Sequence, residues 1–118
     1  MESEAAILTL SALAQPTRLE AFRLLVGYEP TGLPAGDLAR LLAIPQNTLS
    51  AHLAILSRAD LVTRERQSRS IIYRANLARL RDTTLYLLKD CCGGDSGLCA
   101  PIVASLTPCC PPSESQNA

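Results

Sequence analysis

The chain has a single histidine, no net charge and no apolar run of membrane-spanning length. Each shortage excludes a class of function. With His52 as the lone imidazole, no nucleophile, base and orienting group can be assembled around a thiol, so an enzyme is not expected. A membrane span needs about eighteen or more apolar residues in succession, and none is present. The apolar run from Ala5 to Ala14 ends in Ala12-Leu13-Ala14, like a secretory cleavage site, but it follows Glu2 and Glu4. A secretory n-region is basic, so a cytoplasmic protein is expected.

The charge balance of zero, 11 basic against 11 acidic residues, hides a local excess. Arg58, Arg64, Arg66, Arg69, Arg74, Arg79 and Arg81 face only Asp60 and Glu65 across the same stretch. That is the footprint of a surface that meets phosphates. All are arginine, whose planar fork suits phosphate better than the ammonium of lysine.

A chain of 118 residues makes one domain. If its last two dozen residues form a tail, the folded part lies near the lower limit for a self-sufficient core, which favours a dimer. Pro16, Pro34 and Pro45 each precede an apolar pattern, as proline does at a helix start. The first of these helices is expected from Pro16 to Val26, with Leu19, Phe22 and Val26 inward and Gly27 as the stop. A second is expected from Pro34 to Leu42, with Leu38, Leu41 and Leu42 on one face. A third is expected from Gln46 to Arg58, with Leu49, Leu53 and Leu56 inward and Asn47, Ser50 and Arg58 outward. The short link Ala43-Ile44-Pro45 makes the last two a helix-turn-helix.

Beyond it, Leu61 to Glu65 and Ser70 to Arg74 are rich in β-branched and aromatic residues and flank a bend at Gln67-Ser68, which predicts a two-stranded wing. Asp60 stands where a left-handed cap is needed, a conformation aspartate tolerates. An opening helix from Ser3 to Leu13 with Ile7 and Leu10, and a closing one from Asn76 to Asp90 with Leu77, Leu80, Thr84, Leu87 and Leu88, are left to pair with their copies in a second subunit. The expected fold is thus mainly α, a winged helix-turn-helix of about five helices and a hairpin. The domain spans residues 1–90, a cysteine loop 91–99 and a Pro/Ser-rich tail 100–118.

Five cysteines, an odd number with two adjacent pairs, suit a cytosolic ligand cluster better than a disulfide scaffold. Cys91 and Cys92 are neighbours, with Cα atoms about 3.8 Å apart, closer than the roughly 4.4–6.8 Å of unstrained disulfides. They stay available to chelate. Between them and Cys99, three of the six glycines let the loop fold back. Cys109 and Cys110 lie among Pro101, Pro108, Pro111 and Pro112 in a tail of disorder-prone composition. They are a candidate auxiliary site, or have no role.

The stretch from Asp37-Leu38-Ala39-Arg40 through Thr48-Leu49-Ser50-Ala51-His52-Leu53-Ala54-Ile55-Leu56 and Ala59-Asp60-Leu61-Val62, with Pro16-Thr17-Arg18-Leu19 before it and Tyr73-Arg74 after it, resembles the ArsR/SmtB family of winged-helix repressors. The resemblance covers about residues 5 to 90. It implies a homodimer that binds operator double-stranded DNA and releases it when a metal or metalloid binds. It places Gln46, Asn47, Thr48, Ser50 and His52 on the recognition helix and Arg64, Arg66 and Arg69 on the wing. Independently, Gln and Asn can bond adenine bidentately and Ser and Thr can serve several bases.

Two departures stand out. Many arsenic-responsive members carry a thiol in the segment that here reads Leu33-Pro34-Ala35-Gly36-Asp37-Leu38, and zinc sensors carry histidine on the last helix, where this chain has Asp82 and Asp90 only. The thiols instead stand at Cys91, Cys92 and Cys99, which resembles the branch of arsenic repressors with three cysteines after the last helix. By that resemblance the inducer is As(III) or Sb(III). Zinc prefers a fourth ligand, which Cys109 or Cys110 would supply, so zinc, cadmium and lead stay open. A thiol redox switch on the same fold and a thiol-rich metal buffer are the alternatives.

Overall fold

The computed structural model describes residues 1–88 and Pro101. Residues 1–84 form one compact unit, and Leu85–Leu88 belong to a second. The order is α1 (Ser3–Leu13), α2 (Pro16–Gly27), β1 (Leu33–Pro34), α3 (Ala35–Leu42), α4 (Gln46–Arg58), β2 (Val62–Gln67), β3 (Ser70–Ala75) and α5 (Leu77–Leu88). The described residues form a winged helix-turn-helix: five helices, α1 to α5, and a small antiparallel sheet in the order β1-β3-β2. The short strand β1 adds to the expected hairpin, with Leu33 opposite Tyr73 and Pro34 opposite Ile72.

The core is built on leucine. Leu25, Leu38, Leu49, Leu53, Leu56 and Leu61 are all fully buried, with Phe22 beside them. The stripe expected on α4 is the stripe observed, because Leu49, Leu53 and Leu56 are the helix's only leucines and leave one way to turn it inward. α2 is different. It buries Ala21, Phe22 and Leu25, whereas Leu19 and Val26 are exposed. Apolar residues surround this helix, so the pattern permits several rotations, and packing against α1, α3 and β3 selects one. Leu41 on α3 is likewise exposed, while Leu38 and Ala39 are buried. On α1 the buried face is Ala6, Thr9 and Ala12. Ile7 (62% exposed) and Leu10 point away from it.

Local chemistry sets the ends of these elements. Pro16 opens α2 at its first position, and Gln15 caps it by accepting a 2.8 Å bond from the Arg18 backbone N–H. α2 runs through Gly27 rather than stopping before it. α3 ends on Ala43 at φ 59°, a left-handed position where a Cβ costs roughly 1–2 kcal/mol. Its N–H and that of Ile44 close back on Arg40 and Ala39. Asp60 takes φ 61° between α4 and β2, the role its position in the sequence predicts.

Candidate nucleic-acid interface

With Leu49, Leu53 and Leu56 locked inward, the opposite side of α4 has to face solvent. Gln46, Asn47, Thr48 and Ser50 are all exposed and lie together in its first turns. Asn47 Oδ1 accepts from the Thr48 backbone N–H at 3.0 Å, and Ser50 Oγ donates to the Gln46 carbonyl at 3.0 Å. These local bonds hold the Asn47 and Ser50 side chains against the helix, while Gln46 Oε1 lies beside Gly36 of α3, 3.5 Å from where a Cβ on that glycine would stand. The helix has no side-chain cap, so its leading N–H groups add to a surface that favours anions.

His52 is placed apart from this group. It is half-buried, and its Nδ1 lies 3.4 Å from Arg18 Nη1. A guanidinium can only donate, so Nδ1 takes the acceptor's place in this contact. Arg18 Nε also donates to the Ala12 carbonyl at 2.6 Å. One arginine therefore ties the end of α1 to the flank of α4. The sequence gives no hint of this, because the partners are 34 positions apart.

The wing turns one residue later than expected. Gln67 pairs with Ser70, so the loop is Ser68-Arg69, with Ser68 at φ 57°. The later turn moves the pairing register by two residues along β3 and leaves each side chain on the same face. Arg64 stands opposite Tyr73 and Arg66 opposite Ile71, on one face. Arg69 is at the tip. All three arginines are exposed, and among the described residues none is in an ion pair.

Three further arginines of the basic stretch are committed elsewhere. Arg74 grips Glu29 through two bonds, of 2.7 and 3.2 Å. Arg79 reaches Asp60 at 2.6 Å, and Arg81 reaches Asp82 at 3.1 Å. The bond from Arg74 holds the Glu29 carboxyl below the usual carboxylate range, against a smaller opposing effect of burial. Among the described residues the unpaired patch is therefore Arg58, Arg64, Arg66 and Arg69 against Glu65. It is narrower than the sequence count implies, because Glu29 and Asp82 lie outside the stretch that was counted.

Between α4 and the wing runs a groove of about 410 Å³ lined by Ser50, Ala54, Ser57, Arg58, Arg64 and Tyr73. Ser57 had no sequence signal of its own, and Tyr73 was legible only as a wing-strand residue within the family-like stretch. Its place in the groove follows only from the strand register. The five cysteines all lie outside the described residues, as do the boundaries at residues 90 and 100. Among the described residues no three His, Asp or Glu side chains gather as a metal site, and no helix is long and apolar enough to cross a membrane.

Known proteins share this architecture. Residues 13–65 match the family model of a helix-turn-helix domain. The chain is 33% identical over 87 residues to the transcriptional repressor SdpR of Bacillus subtilis, covering 74% of this chain and 93% of that protein. Among solved structures, an ArsR-like transcriptional regulator from Rhodococcus sp. RHA1 superposes with a TM-score of 0.70 at 28% identity, over 82% of this chain and 89% of the other. Another, described as a possible transcriptional regulator for arsenical resistance, gives 0.56 at 30% identity, over 67% and 82%. These relatives are regulators that act on transcription, not enzymes. The exposed polar turn of α4, the basic wing beside it and these likenesses agree: the chain belongs to the ArsR family of winged helix-turn-helix transcriptional regulators.

Proposed function

We propose that this regulator is a cytoplasmic repressor that binds operator DNA as a homodimer and releases it when As(III) or Sb(III) is held by the thiolates of Cys91, Cys92 and Cys99. The observation that carries the DNA half is the pairing of an exposed Gln46-Asn47-Thr48-Ser50 turn with three wing arginines that have no ion pair among the described residues. The first set suits base edges in a major groove, and Arg64, Arg66 and Arg69 suit phosphates. His52 acts here through Arg18, as a brace for α4 rather than as a base contact.

The metalloid half rests on the sequence: three thiols within nine residues, two of them adjacent, and no other soft-ligand cluster in the chain except Cys109 and Cys110. The likeness to a regulator described for arsenical resistance is in keeping with it. A second copy would cover the outer face of α1, where Ile7, Leu8 and Leu10 are exposed, and the exposed Leu77 and Leu85 of α5.

The route from thiols to DNA runs through α5. Asn76, just ahead of that helix, donates from Nδ2 to the Asp60 carbonyl at 2.8 Å, and Arg79 in its first turn holds the Asp60 carboxylate. Asp60 is the corner between α4 and the wing. A displacement of α5 on metalloid binding therefore reaches the corner that sets the angle between helix and wing. A hundredfold loss of DNA affinity needs a coupling of about 2.8 kcal/mol, and DNA must weaken metalloid binding by the same factor.

The test is fluorescence-anisotropy binding of the reduced chain to the region upstream of its own gene, titrated with arsenite, antimonite, zinc and cadmium. Release by the trivalent metalloids that is abolished in a Cys91→Ser, Cys92→Ser, Cys99→Ser variant supports the proposal. Retention under every ion with release by peroxide would replace it with a disulfide switch of Cys99 against the adjacent pair. Within the interface, Gln46→Ala is expected to relax preference at one operator position by about 1–3 kcal/mol.

A further inference from the structure

The chain's one histidine stands on α4, and the fold sets it against a cation. We infer that Arg18 and His52 form a proton-sensitive latch: with a neutral imidazole it holds α4 against the end of α1 in the position that reads the operator, and protonation opens it. The latch acts through α4 and so rests on the proposal that α4 meets DNA, but its input is a proton rather than a metalloid.

Arg18 is fixed before it reaches the ring. Its backbone N–H donates to Gln15 Oε1 at 2.8 Å, at the cap of α2, and its Nε donates to the Ala12 carbonyl at 2.6 Å, in the last turn of α1. Nη1 is thereby brought to 3.4 Å from His52 Nδ1, in a half-buried seam. Because a guanidinium has donors only, the contact is attractive while Nδ1 offers a lone pair, and an imidazolium carries a hydrogen on both nitrogens. Proton uptake therefore removes the acceptor and places two cations side by side where water is partly excluded. His52 follows Thr48 at i+4, on the same side of the helix, so a displacement at the ring is felt in the exposed first turns.

The surroundings do not offset the added charge. α4 packs against α1, α2, α3 and β2. Glu4 of α1, Glu20 and Arg23 of α2, Arg64, Glu65 and Arg66 of β2 and Arg58 of α4 itself are exposed, and Asp37 and Arg40 of α3 pair with each other. Among the described residues no carboxylate forms an ion pair with Arg18 or His52. Glu29 keeps its charge through the range where an imidazole ordinarily titrates, since Arg74 holds its carboxyl below the usual carboxylate range.

The sign of the response separates a latch from simple electrostatics. A positive charge gained beside DNA strengthens binding to every sequence. An opened latch weakens binding to the operator.

A single histidine makes the test direct, because its ring signals in a proton NMR titration belong to one residue. The full reduced chain, free of metal, is titrated from about pH 8 to about pH 5.5, alone and bound to the region upstream of its gene. Affinities for that region and for a random duplex are measured over the same range at fixed salt. Preference for the upstream region should fall about tenfold with the midpoint of the ring titration, and bound DNA must then lower that midpoint by about one pH unit. His52→Asn, which keeps a neutral acceptor near the place of Nδ1, should hold the high-pH preference throughout. Arg18→Met, which has no donor, should start from the lowered preference and change little.

A parent preference that stays level or rises on acidification, a midpoint that DNA raises, or a fall that persists in His52→Asn would each overturn the latch while DNA binding stands. Failure of the parent to bind either duplex at high pH would overturn the DNA-binding proposal itself. Should Arg18→Met melt too early to assay, the parent and His52→Asn decide between these outcomes.

Discussion

Seven of the ten arginines of this chain fall into two populations that the sequence cannot tell apart. Arg18, Arg74 and Arg79 are half-buried and each bridges elements: α1 to α4, the turn after α2 to the wing, and the α4 corner to α5. Arg58, Arg64, Arg66 and Arg69 are exposed and unpaired among the described residues. The first set holds the frame in which α4 and the wing have a fixed relation. The second spends its charge outside the molecule. A basic stretch is thus not a uniform patch, and neighbouring residues such as Arg69 and Arg74 carry out opposite tasks.

The largest effect should come from breaking the frame where it is tightest. Gly32 sits at φ 75°, and a Cβ there would meet the Tyr73 carbonyl oxygen at 2.5 Å and Arg74 Cγ at 2.7 Å. Gly32→Ala is expected to cost roughly 2–4 kcal/mol in urea unfolding, from the left-handed conformation and the backbone clash together. A loss under about 0.5 kcal/mol, the range of an ordinary surface change, would mean that the seam between this turn and β3 yields freely and that Arg74 is not rigidly held.

Acid should expose the same frame. Because the folded-state pKa of Glu29 lies below its ordinary value, its contribution is complete above the ordinary carboxylate range and disappears as pH falls through the lowered value. Stability should therefore fall toward acid, and Glu29→Gln or Arg74→Gln should flatten that fall in melting temperature measured from pH 7 downward. An acid limb identical in parent and variants would remove Glu29 from the frame.

The comparison is sharpest as a crossed pair. Arg79→Ala should lower the melting temperature and leave the salt slope of DNA binding unchanged, while Arg66→Ala should leave the melting temperature and lower the slope by about one. Similar behaviour of the two variants in both measurements would merge the two populations. The smallest effect belongs to Arg40, whose pair with Asp37 three residues away is exposed. Arg40→Ala should stay within about 0.5 kcal/mol of the parent.

Much of this was legible beforehand, for identifiable reasons. α4 has few leucines and all of them on one stripe, so its inward face, and with it the outward turn from Gln46 to Ser50, followed directly. α2 carries apolar residues all round, and the expected stripe through Leu19 and Val26 was turned out in favour of Ala21 and Leu25. Strand β1 is too short to have a periodicity, and the one-residue shift of the wing turn is set by pairing rather than by composition. That shift placed Tyr73 opposite Arg64 and so completed the groove.

By itself, the sequence determined the five helices and the two wing strands, the order in which they follow, the helix-turn-helix and the left-handed corner at Asp60, because these depend on local preference and on hydrophobic period. The tertiary structure alone decided which arginines are free. An ion pair between Glu29 and Arg74 spans 45 positions, and a contact of that range depends on how helices and strands pack, which no local pattern records. The electrostatic surface offered to DNA is what remains after those pairings have been made.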